Sequence, residues 1–123
     1  MSAILIIGED PASIPAGKAP PGITPEVIMK GLTDSRDTLR AKGHQAEILL
    51  TTSPDQIENE LSAAVREKPY DVLVIGAGLR TLAPMAQQFE RLMNAIRVYA
   101  PHARLAFNSH PGDSAEAALR QLS

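Results

Sequence analysis

The stretch Tyr70 to Arg80, YDVLVIGAGLR, constrains the fold more than any other part of the chain. Val72 to Ile75 is an unbroken run of β-branched residues and leucine. It is too short for a helix and too apolar for a strand with one wet face, so it reads as a central strand buried on both sides. Gly76-Ala77-Gly78 ends the run. A buried strand that stops at glycines ahead of a long amphipathic helix lets backbone N–H groups approach a ligand, so the same stretch marks the first candidate site.

The flanking sequence repeats this pattern. Ala3 to Ile7 is apolar and ends at Gly8, as a buried parallel strand does when it feeds a loop. Thr24-Pro25-Glu26 reads as a helix start, with Thr24 as cap, Pro25 at the first position and Glu26 complementing the dipole. That helix is expected to run to about Lys42 with Ile28, Leu32, Ser35 and Leu39 on one face, and Gly43 supplies a left-handed stop. Gln45 to Thr51 alternates more and reads as a strand nearer an edge. Ser53-Pro54-Asp55-Gln56 has the form of a capping box opening a helix through Ile57, Leu61, Ala64 and Val65.

After the central strand, Leu82, Met85, Phe89, Leu92, Met93, Ile96 and Tyr99 recur at steps of three and four, predicting the longest helix, which Pro101 ends. Arg104 to Phe107 reads as a short fourth strand, and Asp113-Ser114-Ala115-Glu116 as a capping box for a last helix carrying Leu119 and Leu122. The order is βαβαβαβα. With 123 residues and 44% hydrophobic composition, one domain over residues 1–123 is expected. Strict alternation implies an α/β fold: a doubly wound, four-stranded parallel sheet in order 2-1-3-4 with helices on both faces, a flavodoxin-like or Rossmann-like three-layer sandwich.

Composition narrows function by exclusion. Twelve basic residues against 14 acidic leave a formal charge of -2, which gives no bulk electrostatic grip on nucleic acid or on an anionic membrane. Phe89, Phe107, Tyr70 and Tyr99 are not clustered, so no base-stacking platform is built. Cysteine is absent, which removes disulfides, thiolate metal sites and cysteine nucleophiles and points to the cytoplasm. The opening MSAILIIGED shows neither a basic leader nor a membrane-length apolar run.

In the order 2-1-3-4 the winding reverses between the first strand and Val72 to Ile75, which opens a crevice at their carboxyl ends. Three loops converge there: Gly8 to Ile23, Gly76 to Leu82 and Asn108 to Gly112. The first holds Pro11, Pro15, Gly17, Pro20, Pro21 and Gly22 and is long for such a connection, so it is expected to act as a lid. The candidate ligand-binding residues are Gly8, Glu9, Asp10, Lys18, Gly76, Gly78, Arg80, Asn108 and Ser109. Glycine-flanked N–H groups, Arg80 for bidentate recognition and Lys18 from the loop together suggest a modest anion site.

Glu9-Asp10 reads either as a pair of oxygen ligands for Mg²⁺ or as solvated loop carboxylates; no third ligand follows from spacing, and no metal site is expected. His110 is a candidate acid or base, or a loop histidine that caps, while His44 and His102 fall at the opposite end. Gly76-Ala77-Gly78 lacks the third glycine and the position of a dinucleotide fingerprint, and Gly17-Lys18-Ala19 is not a P-loop, so neither NAD nor ATP is expected as cofactor.

SAILIIGEDPA resembles the start of a response-regulator receiver domain, whose first strand ends in an acidic pair, and the βα alternation agrees with it. The receiver family carries its phosphorylated aspartate at the end of the third strand. Here that position is Gly76-Ala77-Gly78, Asp71 lies at the strand's beginning, and no fifth strand supplies the family's lysine. The resemblance therefore implies the fold and not phosphoryl transfer. PPGITPEVIMKGL, YDVLVIGAGLR and FNSHPGDSAEAALRQL are also similar to blocks of small bacterial Rossmann-like proteins, a likeness that implies no activity.

Two functional expectations follow. The first is a small-ligand or anion-binding module with a regulatory role. The second is an enzyme acting on an anionic or carbonyl substrate with His110 as proton carrier. A homodimer is expected as well, because a four-stranded sheet leaves Arg104 to Phe107 as an edge, and Met85, Met93, Val98, Leu119 and Leu122 exceed what one small sheet covers.

Overall fold

The computed structural model describes residues 2–10, 22, 24–82 and 85–122. Four parallel strands form one sheet: β1 (Ala3–Glu9), β2 (Gln45–Thr51), β3 (Val72–Ile75) and β4 (Arg104–Phe107), in the order β2-β1-β3-β4. Among the described residues five α-helices accompany them: α1 (Pro25–Ala41), α2 (Ile57–Glu67), α3 (Ala77–Thr81), α4 (Ala86–Tyr99) and α5 (Ser114–Leu122). The layout is the expected flavodoxin-like α/β arrangement.

β1 and β3 are the inner strands, and every one of their residues is buried. Two cores follow from the strand period. Ile4, Ile6, Val72, Val74 and Ala106 face α1 and α5, where Leu32, Leu39, Ala115, Ala117 and Ala118 meet them. Leu5, Ile7, Leu73 and Ile75 face the other way, onto Ile57, Leu61, Leu79, Leu92, Ala95 and Ile96 of α2, α3 and α4. Each large aliphatic side chain buried this way contributes about 2 kcal/mol of transfer free energy.

Local chemistry sets the ends of α1 as expected. Thr24 Oγ1 accepts from the Val27 N–H at 3.2 Å, Pro25 opens the helix, Leu32, Ser35 and Leu39 are buried, and Gly43 beyond it has φ 92°.

Elsewhere the chain departs from the expected boundaries. Ser53 makes no side-chain cap; Pro54–Gln56 forms a 3-10 turn instead, closed by the Gln56 N–H on the Ser53 carbonyl, and α2 begins at Ile57. Gly76 to Leu82 is not an open loop, because Ala77–Thr81 is helical. Leu82 then turns extended, and the long helix starts at Ala86. The sequence carries proline at 84, which has no N–H to continue a helical ladder.

The apolar surplus expected to drive dimerisation is largely absorbed within the chain. Met85 is buried, and Met93, Leu119 and Leu122 pack against the two cores, which among the described residues leaves Val27, Val98, Tyr99 and Phe107 as the exposed large apolar side chains. Among the described residues no helix is long and apolar enough to cross a membrane.

Candidate functional site

The carboxyl ends of β1 and β3 come together through glycine. A side chain at Gly76 would place its Cβ 3.1 Å from the Ile7 carbonyl oxygen and 3.5 Å from the Gly8 Cα. Above this contact lies a cavity of about 170 Å³. Gly8 and Glu9 form one side of it, Gly76, Ala77, Gly78, Thr81 and Leu82 another, and Asn108, Ser109, His110 and Pro111 a third. Ile28 and Leu32 of α1 close it, two residues expected only as helix packing. Asp10 and Arg80 are not among the lining residues. Lys18 and most of the Gly8 to Ile23 loop, with its expected action as a lid, lie outside the described residues.

Asn108 joins two of these arms. It is buried; its Oδ1 accepts from the Ala77 N–H at 2.7 Å, and its Nδ2 donates to Ser114 Oγ at 2.9 Å. The same side chain, expected to meet a ligand, holds α3 against the start of α5. Arg80 has a comparable structural use: it donates to the carbonyls of Ile75 and Asn108, and its guanidinium lies 4.7 Å from the centre of the Phe107 ring. It thus ties the carboxyl ends of β3 and β4 together.

Glu9 is neither in a loop nor solvated. It is the last residue of β1, on the α2 and α4 side of the sheet, and only 5% exposed. Its carboxylate accepts from Thr51 Oγ1 at 3.1 Å, and Gln88 Nε2 lies 3.3 and 3.1 Å from its two oxygens. Thr51 and Gln88 are themselves buried. The Asp10 N–H bonds to the Thr51 carbonyl at 2.9 Å, which extends the β1–β2 pairing. Gln88 was not anticipated, although its spacing from Met85 and Leu92 puts a polar residue on the buried face of α4, and such a residue needs a partner. No group of three or more His, Asp or Glu side chains comes together to hold a metal ion among the described residues.

His110 caps its own turn. The 3-10 segment Pro111–Asp113 follows it; Nδ1 of His110 accepts from the Gly112 N–H at 3.1 Å, and the Asp113 carboxylate reaches back to the N–H groups of Ser109 and His110. The capping box expected to begin at Asp113 therefore sits three residues upstream, because Asp113 occupies the third position of a turn opened by Pro111. Burial works against the charge on Asp113, but hydrogen bonds from the backbone of His110 and Ser109 and the nearby imidazole outweigh it and hold the carboxyl below its ordinary pKa.

The whole turn rests on α1. A Cβ at Gly31 would come within 2.7 Å of Pro111 Cβ and 2.8 Å of the Gly112 nitrogen, and Ser35 Oγ donates to the Pro111 carbonyl at 3.2 Å. Gly31 is a second residue that sequence reasoning passed over; a glycine inside a helical pattern was its only signal. At the other end of the sheet, His44 Nδ1 accepts from the Ser2 N–H and His102 is exposed, so the three histidines do not meet.

No protein-family profile matches the sequence, and no curated protein is significantly similar to it. Among solved structures, the chain is similar to a fragment provisionally described as a lipoprotein from Peptoclostridium difficile 630, with a TM-score of 0.57 and 12% identity over 99% of this chain and 95% of that one. At that identity the likeness establishes a shared fold, and the family of this chain is left at the level of a small α/β domain built on a four-stranded parallel sheet.

Proposed function

We propose that the protein is a small-ligand-binding module whose site is the crevice at the carboxyl ends of β1, β3 and β4. One observation carries the reading: a cavity of about 170 Å³ at the point where the winding of the sheet reverses, walled by Ile28, Leu32, Leu82 and Pro111 and edged by Thr81, Ser109, His110 and Glu9. Its size favours a molecule of few atoms, since a cavity of roughly 150 Å³ accepts benzene and sites for drug-sized ligands start near 300 Å³.

The anion expected from sequence loses its main support with Arg80, whose guanidinium serves the Ile75 and Asn108 carbonyls. A compact ligand with an apolar body and one polar head fits the described walls better. In a thermal-shift screen, small aromatic and branched aliphatic alcohols, amides and acids should raise the melting temperature. Saturation at a hundred times the dissociation constant stabilises by about 2.7 kcal/mol. A screen in which none of them acts, or only phosphates and nucleotides do, removes the reading. The alternative of catalysis by His110 must contend with an Nδ1 already engaged by Gly112.

We also propose a cytoplasmic homodimer, on the lack of cysteine and on the exposed Phe107 at the β4 edge. In a fractionated lysate it should follow cytosolic markers and sediment at about twice the chain mass of 13.2 kDa. Recovery with membranes would defeat the location, and a single 13.2 kDa species at all concentrations the dimer.

A further inference from the structure

The His110 ring has two neighbours that ask opposite things of it. Nδ1 accepts from the Gly112 N–H at 3.1 Å, which requires an unprotonated nitrogen, while Nε2 lies 4.0 Å from Oδ2 of the Asp113 carboxylate, which attracts a charged ring. Imidazoles change charge between about pH 5 and 8. On protonation both nitrogens become donors, so the cap on Gly112 becomes an N–H facing an N–H. The imidazole is 63% exposed and has room to turn, whereas the Asp113 carboxylate is only 19% exposed and is fixed by the Ser109 and His110 amides.

We propose that His110 is a proton-operated latch on the lip of the crevice. Neutral, it caps the Pro111–Asp113 turn and keeps the lip as it stands; protonated, it releases Gly112 and pairs with Asp113. The release is felt at the cavity because His110 and Pro111 line it and because the same turn abuts Gly31 and Ser35 of α1. Other charges around the turn are committed or outward. On α1, Lys30 and Asp34 pair with each other in solvent; on α3, Arg80 serves the Ile75 and Asn108 carbonyls; on α5, Arg120 donates to the Phe107 carbonyl and Glu116 is exposed; on β1, Glu9 is bonded to Thr51 and Gln88. Asp113, held below the ordinary carboxylate range, stays ionised throughout the window in which imidazole titrates.

The regulatory meaning of the latch rests on the crevice being the binding site, but its test does not. Amide exchange and ring signals are followed by NMR from pH 8.5 to 5 on the full chain. As the His110 ring protonates, the protection factor of the Gly112 amide should fall roughly fivefold, the size expected for loss of one modest hydrogen bond. In His110→Asn, whose side-chain oxygen can cap without titrating, Gly112 should hold its protection across the range. A Gly112 amide indifferent to ring protonation in the wild type overturns the latch, and so does an equal pH response in His110→Asn. A failed ligand screen would count against the binding reading and leave this result standing.

Discussion

Gly31→Ala should lower stability by about 2 kcal/mol, a fall of roughly 8 °C in Tm, although alanine is the better helix former. Propensity alone predicts a gain of about 1 kcal/mol for replacing a glycine inside a helix. Against it stands the space the methyl group would need. Its carbon would lie 2.7 Å from Pro111 Cβ, 2.8 Å from the Gly112 nitrogen and 2.9 Å from the Pro111 carbonyl carbon. The neighbours are a proline ring and main chain, which cannot swing aside as the tip of a long side chain can, so α1 or the turn must move. Overpacking of this kind costs typically about 1–3 kcal/mol, at the upper end when backbone is struck. Displacing the turn also strains the Ser35 bond to Pro111 and shifts one wall of the cavity. Urea unfolding decides the sign: a midpoint equal to or above that of the wild type would mean that the helix and the turn are not in contact at this position.

The sheet was legible because its signals are local. Four or more consecutive aliphatics at Ala3 to Ile7 and Val72 to Ile75 leave no wet face, and the strands they form are the two inner ones. Thr24 and Gly43 likewise act on atoms within a few residues of themselves. What escaped depends on partners far away in sequence. Glu9 looked like a loop acid because the apolar run stops at Gly8, yet its burial is made possible by Thr51 and Gln88, 42 and 79 residues distant. Arg80 looked available for an anion because nothing local shows that the Ile75 and Asn108 carbonyls come within its reach. The short helix α3 was hidden by Gly76 and Gly78, poor helix formers; a side chain from beyond β4 supplies the acceptor for its first N–H. His110 sat between two readings, and the turn that follows it selects the cap.

Asn108→Leu should cost about 3 kcal/mol, roughly 12 °C in Tm, and should loosen α3 more than any other element. Leucine keeps the branch point and the number of side-chain heavy atoms of asparagine, although its methyl groups are bulkier, so the loss of hydrogen bonds is joined by some crowding. The Ala77 N–H gives up its 2.7 Å acceptor, and Ser114 Oγ its 2.9 Å donor. A part-buried donor left without a partner costs about 1–3 kcal/mol, and a hydroxyl stripped of one of its two bonds adds a smaller amount. Ser114 keeps its own bond to the Pro111 carbonyl at 2.8 Å, which restrains the start of α5 while α3 is freed. Asn108→Asp separates the two losses at α3, because one carboxylate oxygen still accepts from Ala77, while the donor toward Ser114 disappears and a carboxylate is placed at a buried position. It should therefore cost about 2–3 kcal/mol through that buried carboxylate and yet leave α3 protected. Hydrogen exchange on both variants reads the difference directly: the amides of Ala77 to Thr81 should exchange faster in Asn108→Leu and near the wild-type rate in Asn108→Asp. Equal protection in the two variants would show that the Asn108–Ala77 bond is not what fastens this arm of the crevice.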